Sequence, residues 1–322
     1  MAAALLASPS APWEAQRRDV ESAGLTHASS RTLPSPPLLF ASLFVDNAST
    51  GERSWDRCVF QSIADDPIDQ VLFGMMGGRM ADWQADFSSV HCDAWYKPNK
   101  RSNCPCTAPH SLIGNHTFVE IGANDGLHMS NSWFFESFLG WRGMCIEPNP
   151  RVFTLLRANR PRCLNVNAFV SMTSNGSTTL PFISFYRKRP KHDPTREWET
   201  GMSGVEGSNP PNSVLATFER AQKFANQTRG LFVERSMLPV HPFSKLFELH
   251  SYTSIDLLSI DVEGHEYEVL SSIDFKKVYI RIIVTETSTE KVRRLLQRQG
   301  FRDLHMTFRL GDKIFVNREP RP

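Results

Sequence analysis

The chain has 322 residues, 40% of them hydrophobic, and is long enough to bury a sizeable core in one large domain or two small ones. Lys and Arg outnumber Asp and Glu by only 36 to 34, and this near-neutral balance gives no global charge for binding nucleic acid. The longest apolar run, residues 38–45, is too short to cross a bilayer, so no transmembrane segment is expected.

Two features of the sequence point to different cellular compartments. The N-terminal segment has neither a basic flank nor a full apolar core, which makes it a poor signal peptide. Glycosylation sequons nevertheless begin at Asn47, Asn115, Asn175 and Asn226, which favours the secretory route. The chain is therefore either cytoplasmic or a secretory-route protein whose signal is missing from this sequence.

The six cysteines also leave alternatives open. Four precede residue 118 and could bind zinc, although their spacing fits no common zinc finger, or could pair as disulfides in a secreted chain; they are Cys58, Cys92, Cys104 and Cys106. Cys145 and Cys163 lie in apolar patterns instead, and we predict that they pack as small hydrophobic residues.

The chain divides by composition and periodicity. The expected organisation is a disordered or loosely packed tail at 1–52, an N-terminal cap segment at 53–112, a main domain at 113–318 with an insertion or lid at 187–235, and a short tail at 319–322.

Within the main domain, apolar strand patterns alternate with helical ones. Strands are predicted at 118–121, 142–146, 163–168, 255–260 and 279–286, with helices between them over 133–139, 150–159, 242–249, 266–272 and 290–299. Such alternation with short connections predicts a mostly parallel sheet with helices on both faces. Residues 301–306 and 313–317 are predicted to close it as an antiparallel hairpin.

The sequence Glu-Ile-Gly-Ala-Asn-Asp-Gly at 120–126 follows the first of these strands. A nicotinamide-dependent oxidoreductase would carry Gly-x-Gly-x-x-Gly facing a pyrophosphate, whereas here Gly122 and Gly126 are separated by three residues. Glu120 would repel a phosphate but suits a cofactor that carries an ammonium and a sulfonium. The pattern therefore favours S-adenosylmethionine over a dinucleotide, although an ordinary tight turn has the same residues.

Acidic residues follow two further strands. Glu147, at the end of the second strand, could accept hydrogen bonds from both ribose hydroxyls or could stabilise the next helix N-terminus. Asp261, Glu263 and His265 follow the apolar strand 255–260. Ligands of open parallel sheets bind beyond the carboxyl ends of the strands, so these three residues could supply a general base, or could be solvated residues of the following helix.

These residues resemble the FkbM-type methyltransferases. The resemblance lies in Glu-Ile-Gly-Ala-Asn-Asp-Gly at 120–126, Ile-Glu-Pro-Asn at 146–149, Asn-Arg-Pro at 159–161 and Asp-Leu-Leu-Ser-Ile-Asp-Val-Glu-Gly-His-Glu at 256–266. It implies a class I Rossmann-like methyltransferase with a seven-stranded, mostly parallel sheet. It also implies S-adenosylmethionine as the methyl donor and a hydroxyl acceptor on a sugar, a glycan or a related small molecule.

We predict that the following residues bind the cofactor: Glu120, Gly122, Ala123, Asn124, Gly126, Asn131, Glu147, Asn149, Asn167, Ala168 and Asp261. Asp261 is the first candidate for the base, with Glu263, His265 and His128 as alternatives. No resident metal is predicted, although a divalent ion between Asp261 and Glu263 is an alternative. The rival function is a methyltransferase-like module that binds or traffics a ligand without turnover.

Overall fold

The computed structural model describes residues 55–60, 68–76, 79–80, 104–172, 178–187, 198–208, 213–250, 252–286, 289–306, 308 and 311–319. The strands, in chain order, are β1 (Trp55–Phe60), β2 (Arg79–Met80), β3 (Cys104–Pro109), β4 (Thr117–Ile121), β5 (Arg142–Ile146), β6 (Leu164–Val166), β7 (Phe169–Val170), β8 (Thr179–Arg187), β9 (Gly204–Val205), β10 (Leu231–His241), β11 (Ser254–Ile260), β12 (Tyr279–Thr285), β13 (Phe301–Asp303) and β14 (Lys313–Asn317). The α-helices are α1 (Ile68–Met75), α2 (Trp133–Leu139), α3 (Pro150–Asn159), α4 (Trp198–Gly201), α5 (Phe218–Gln227), α6 (Phe243–His250), α7 (Glu266–Ser271) and α8 (Glu290–Arg298).

The central sheet has seven strands in the order β13-β14-β12-β11-β4-β5-β6. Strands β12, β11, β4, β5 and β6 are parallel, and β14 pairs antiparallel with both β12 and β13. The predicted parallel sheet with a closing hairpin is confirmed. The strand order reverses between β4 and β11, because the chain first builds outward through β5 and β6 and then returns to the other side of β4. Ligands of open sheets bind at such a switch point.

The two faces of this sheet bury different side chains. Phe118, Leu257 and Ile282, which are register partners on adjacent strands, pack into a core with residues of α1, α2 and α3. The next residues along the same strands, Val119, Leu258 and Ile283, pack into a second core with residues of α6, α7 and α8. This explains why β4, β11 and β12 are apolar at successive positions, as expected of strands covered by helices on both faces.

A second sheet follows β6 in the chain and was not predicted from the sequence. It has four strands in the order β7-β10-β8-β9, with β8 and β10 paired antiparallel over nine residue pairs. Ile183, Phe185 and Leu231 pack on one side with α5, whereas Phe169, Phe182 and Val205 form a small core on the other. The segment that we expected to be an insertion, 187–235, contains α4, β9, α5 and the first part of β10.

Several sequence predictions concern residues that the structure leaves undescribed. The tail at 1–52, Cys92 and the side chains of the other three early cysteines lie outside the described residues. In the cap segment, β1, β3 and β2 form a three-stranded sheet, and α1 contributes Ile68, Val71, Leu72 and Phe73 to the core of the main domain. Within the described residues, every helix falls short of the length and apolarity that a membrane span requires.

The prediction that Cys145 and Cys163 only pack as hydrophobic residues was wrong. The two form a disulfide whose Cα atoms are 6.3 Å apart, and both are buried. Cys145 lies on β5 and Cys163 directly precedes β6, so the pairing of Cys145 with Asn165 brings the two cysteines together across neighbouring strands. The bond ties the edge strand β6 to the sheet.

We expect replacement of both cysteines, C145A with C163A, to lower the free energy of unfolding by about 3 kcal/mol, because the bond closes a loop with a sequence separation of 18 residues in the unfolded chain. Urea unfolding of the oxidised wild type and of the double variant measures the difference. A reductant should bring the wild type to the midpoint of the variant. Two free thiols at these positions in a peptide map of the untreated protein would contradict the assignment.

Candidate active site

The glycine turn after β4 is held against the ends of two neighbouring strands. Gly122 and Gly126 have φ angles of 82° and 80°, which favour glycine, and the amides of Gly122 and Ala123 donate to the carbonyl of Ile146 at 2.9 and 3.0 Å. A Cβ added at Gly122 would lie 1.7 Å from the carbonyl oxygen of Asp261. The turn therefore requires glycine at 122, and it lies directly beside Asp261, the first residue after β11.

Glu147, which follows β5, is buried and hydrogen-bonded by backbone amides. Its Oε2 accepts from Asn124 N at 3.0 Å and its Oε1 from Asn149 N at 2.8 Å. Burial raises the pKa of Glu147 to about 7, although the two amide hydrogen bonds oppose that shift. Each carboxylate oxygen can accept a second hydrogen bond, so both retain capacity for a ligand.

Glu120 lies within a buried polar network around Arg160. Its Oε2 accepts from the hydroxyls of Ser130 at 2.9 Å and Ser132 at 2.7 Å, and its Oε1 accepts from Asn131 N at 3.0 Å. Arg160 lies 3.5 Å from the same carboxylate. Glu120 therefore fixes the segment 130–132 at the beginning of α2.

Arg160, which the sequence analysis named only within the Asn-Arg-Pro segment, is buried at the centre of this network. Its guanidinium is 1% exposed, pairs with Glu136 through Nε, and donates from Nη1 to the carbonyl of Gly126 at 3.0 Å. A Cβ at Gly126 would lie 2.6 Å from both the Arg160 and the Leu156 side chains. Arg160 thus joins the far end of the glycine turn to α2 and to Glu120.

Three carboxylates converge at the ends of β11 and β12. Oxygens of Asp261, Glu263 and Glu286 lie within 4.8 Å of one another. Glu286 is brought there by strand pairing, since its amide donates to the carbonyl of Ile260 at 3.1 Å. Burial raises the pKa of Asp261 well above its usual range, and the charges of Glu286, Glu263 and Asp312 raise it further.

These groups open on one cavity of about 400 Å³ at the carboxyl ends of β4, β5 and β11. The predicted site residues that line it are Glu120, Gly122, Ala123, Asn124, Asn131, Glu147, Ala168, Asp261 and Glu263, and the alternative base His128 lines it as well. Although Asp261 retains solvent-accessible surface, it is part of this lining, so its carboxylate is reached through the cavity.

A family model described as the methyltransferase FkbM domain matches residues 120–302, more than half of the chain. The chain belongs to the FkbM methyltransferase family. The resemblance seen in the sequence is therefore confirmed, and so is the class I Rossmann-like methyltransferase fold. Membership of this family assigns methyl transfer as the general function, without naming the acceptor. Enzymes of this kind generally take the methyl group from S-adenosylmethionine.

No curated protein matches the chain. Among solved structures, precorrin-6y C5,15-methyltransferase from Geobacter metallireducens GS-15 is similar, with 11% sequence identity and a TM-score of 0.29. The alignment covers 64% of this chain and 80% of that one.

Four predicted site residues do not line the methyltransferase cavity. Gly126 lies against Arg160, Asn149 donates from its side chain to the carbonyl of Phe185 at 3.2 Å, and Asn167 donates to the carbonyl of Glu147 at 2.7 Å. His265 is buried and its Nε2 lies 2.8 Å from the Ser171 hydroxyl. Burial lowers the pKa of His265 to about 4, so this ring is neutral at physiological pH and is turned towards β7.

The second sheet and the segment 200–205, which runs from α4 into β9, supply walls that the sequence did not indicate. Phe169 and Phe182 line the cavity, as do residues 200–205. The Thr200 hydroxyl donates to the Asn124 side chain at 3.4 Å, and a Cβ at Gly204 would lie 3.2 Å from that of Glu263. The segment 200–205 therefore contacts the glycine turn at Asn124 and the acidic segment at Glu263. Glu286 was also missed, although its place just after a buried strand was a signal.

Proposed function

We propose that this protein is an S-adenosylmethionine-dependent O-methyltransferase that acts on a hydroxyl of a sugar, a glycan or a related small molecule. The observation that carries the proposal is that the glycine turn, Glu147 and Asp261 open on the same cavity. These are the residues for the cofactor's amino-acid end, for its ribose and for the reacting hydroxyl.

The cofactor fits the groups at the cavity. Glu147 has one described amide donor on each oxygen and can accept the two ribose hydroxyls as well. Gly122, Ala123 and Asn124 line the cavity, so this part of the turn can contact a ligand there. The missing Cβ atoms at 122 and 126 instead make room for Asp261 and Arg160. The Glu120 carboxylate already accepts four hydrogen bonds, one of them from Arg160, so it attracts the cofactor's ammonium through water or as a nearby negative charge.

When bound, S-adenosylmethionine supplies a methyl group on a positively charged sulfur. Asp261 accepts the proton that the acceptor hydroxyl gives up, and its raised pKa makes it a stronger base than an ordinary aspartate. Glu263 and His128, which also line the cavity, are the alternative bases. His265 instead supports β7, since its ring packs 5.6 Å from that of Phe169 and contacts Ser171.

The acceptor side suits a polyhydroxylated molecule. Carboxylates accept hydrogen bonds from hydroxyls, and the apolar faces of Phe169 and Phe182 can pack against the C–H surface of a sugar ring. Residues 187–235 form part of the acceptor site, because the segment 200–205 within them lines the cavity.

We expect Glu147→Ala to weaken binding of S-adenosylmethionine by about 100-fold, because two hydrogen bonds to a charged group are worth roughly 1.5–3 kcal/mol each before compensation. Isothermal titration calorimetry on the wild type and the variant measures the change. Glu248→Ala is the matched control, since Glu248 is an exposed residue paired with Lys277 away from the cavity, and it should bind as the wild type does. A folded wild type that fails to bind the cofactor would overturn the proposed function.

A further inference from the structure

The residues that the structure describes include two glycosylation sequons, which begin at Asn115 and Asn226. Both sequons have threonine in the third position, and neither has proline in the second or the fourth. Among the described asparagines these two are the exposed ones, whereas the others are buried or half-buried and begin no sequon. The sequence pattern and the exposure therefore select the same two residues, as a bulky surface glycan requires.

Asn115 lies in the turn before β4, at the end of this strand that is opposite to the cavity. Its φ angle of 35° is one that asparagine tolerates better than most residues do. The turn is fixed to α2, since the amide of Gly114 donates to the carbonyl of Leu139 at 2.7 Å. The length of β4 places about 15 Å between its two ends. A glycan on Asn115 therefore leaves the cavity open.

Asn226 lies on the outer side of α5. This helix buries Ala221 and Ala225 in a core that also contains Ile183 of β8. Asn226 follows Ala225 and is exposed. Phe182 precedes Ile183 and points to the other face of the sheet, where it lines the cavity. The second sheet thus separates a glycan on Asn226 from the cavity.

The threonine hydroxyls of both sequons are engaged in the folded chain. Thr117 Oγ1 donates to the carbonyl of Ser254 at 2.8 Å, and Thr228 Oγ1 donates to the carbonyl of Phe224 at 3.0 Å. Thr117 is also the first residue of β4 and pairs with Arg142 of β5. This hydroxyl distinguishes a sequon from other sequences, so an enzyme that reads the sequon needs it free. Glycosylation must therefore precede folding.

The disulfide between Cys145 and Cys163 is an independent observation on the compartment. Disulfides form and persist in oxidising compartments, such as the lumen of the endoplasmic reticulum, and are rare in the cytosol. The disulfides that do occur in the cytosol are mostly transient, and reactive cysteines lie in partially exposed positions. Both of these cysteines are buried in the sheet of the main domain. The bond is therefore a structural one, made while the chain folds in an oxidising compartment.

We propose that Asn115 and Asn226 each carry an N-linked glycan, which is attached as the unfolded chain enters the oxidising lumen of the secretory route. The glycan donor is an oligosaccharide whose anomeric carbon is bonded to a lipid diphosphate. This inference is independent of the proposed function, because neither site belongs to the cavity.

The chemistry of each step balances with reactants of that lumen. The side-chain amide nitrogen of the asparagine forms a bond to the anomeric carbon and gives up one proton to the surrounding water. The bond between that carbon and the diphosphate oxygen breaks, and the lipid diphosphate leaves with the electron pair. Cys145 and Cys163 lose two protons and two electrons to a protein disulfide, which is reduced to two thiols by exchange.

The glycans are tested on the full chain isolated from its own cells. Tryptic glycopeptides are treated with peptide-N-glycosidase A in heavy-oxygen water, which converts each glycan-bearing asparagine into labelled aspartate. Mass spectrometry should find the label at positions 115 and 226. A parallel digest without the glycosidase measures spontaneous deamidation. An Asn115 or Asn226 that is found only as unlabelled asparagine overturns that site, and the same result at both overturns the proposal.

The compartment has its own readout in the same cells. Lysis in acid stops thiol exchange, and free thiols are then alkylated in denaturant before any reductant is added. We expect Cys145 and Cys163 to be alkylated only after reduction. Alkylation of both before reduction overturns the assignment to an oxidising compartment.

Variants of the Asn226 sequon produced in the same cells separate the glycan from the fold. Asn226→Gln and Thr228→Ala should each migrate faster in a denaturing gel by one glycan, whereas Thr228→Ser keeps the hydroxyl and should migrate as the wild type does. Unchanged migration of both loss variants overturns the site at Asn226. These readouts do not depend on methyl transfer, so a failure of the proposed function is distinguishable from a failure of this proposal.

Discussion

Asp261→Asn is expected to lower the rate of methyl transfer by about 10²–10⁴-fold, the usual contribution of a positioned general base. The amide is close in shape to the carboxylate but cannot take the hydroxyl proton. The loss should appear in kcat, because the glycine turn and Glu147 remain in place to hold the cofactor. The rate is measured as transfer of a labelled methyl group from S-adenosylmethionine to an acceptor that the wild type methylates.

The control for this variant is the affinity for S-adenosylhomocysteine, the uncharged product, which should stay close to that of the wild type. Glu263→Gln tests the alternative base, since it removes a neighbouring carboxylate of the same group. A variant Asp261→Asn with full activity would show that the proton goes elsewhere. A wild type that binds the cofactor but labels no acceptor would favour the rival function, a binding module without turnover.

Arg160→Met is expected to destabilise the fold by about 3–5 kcal/mol, because it removes the buried cation that pairs with Glu120 and Glu136 and leaves Glu136 only the half-exposed Arg162 at 4.0 Å. The Glu136 and Glu120 carboxylates, together with the Gly126 carbonyl, lose a shared partner that is 1% exposed. Methionine fills much of the volume, so the effect is mainly electrostatic. Urea unfolding measures the free energy, and cofactor affinity should fall with it, since the glycine turn loses its anchor to α2.

The matched control is Arg151→Met, which removes an ion pair with Glu234 whose two side chains are 56% and 53% exposed. Exposed pairs of this kind contribute about 0–1 kcal/mol. A second comparison is Arg160→Met with Glu136→Gln, which should recover part of the loss because one of the stranded charges is removed. Equal destabilisation by Arg160→Met and Arg151→Met would show that the buried network does not support the turn.

Much of the fold could be predicted because its signals are local. Helices cover both faces of β4, β11 and β12, so these strands are short, nearly continuous apolar runs. Such runs can be recognised as strands from the sequence alone. The turn at 122–126 could be predicted because a tight approach to Asp261 requires glycine at the turn itself. Glu147 and Asp261 could be placed together because parallel strands end at one edge of the sheet.

Other parts could not be predicted because their partners are far apart in the chain. Glu286 belongs to the site only because β12 lies beside β11, and Cys145 meets Cys163 only through the β5–β6 pairing. His265 lies within the segment that resembles the family, yet the turn at Glu263 and Gly264 directs it to Ser171 and away from the cavity. A one-dimensional pattern carries no information on that direction.

The amino-acid sequence by itself determined the methyltransferase fold, the position of the glycine turn and the two acids that follow β5 and β11, since each depends on backbone conformation and hydrophobicity within a few residues. The tertiary structure alone decided which groups share the cavity. It buried Arg160 beneath the turn, added Glu286 to Asp261, and placed Phe182 and residues 200–205 in the wall. The charge and shape that an acceptor meets are sums over residues from distant segments, and such sums exist only once the chain has folded.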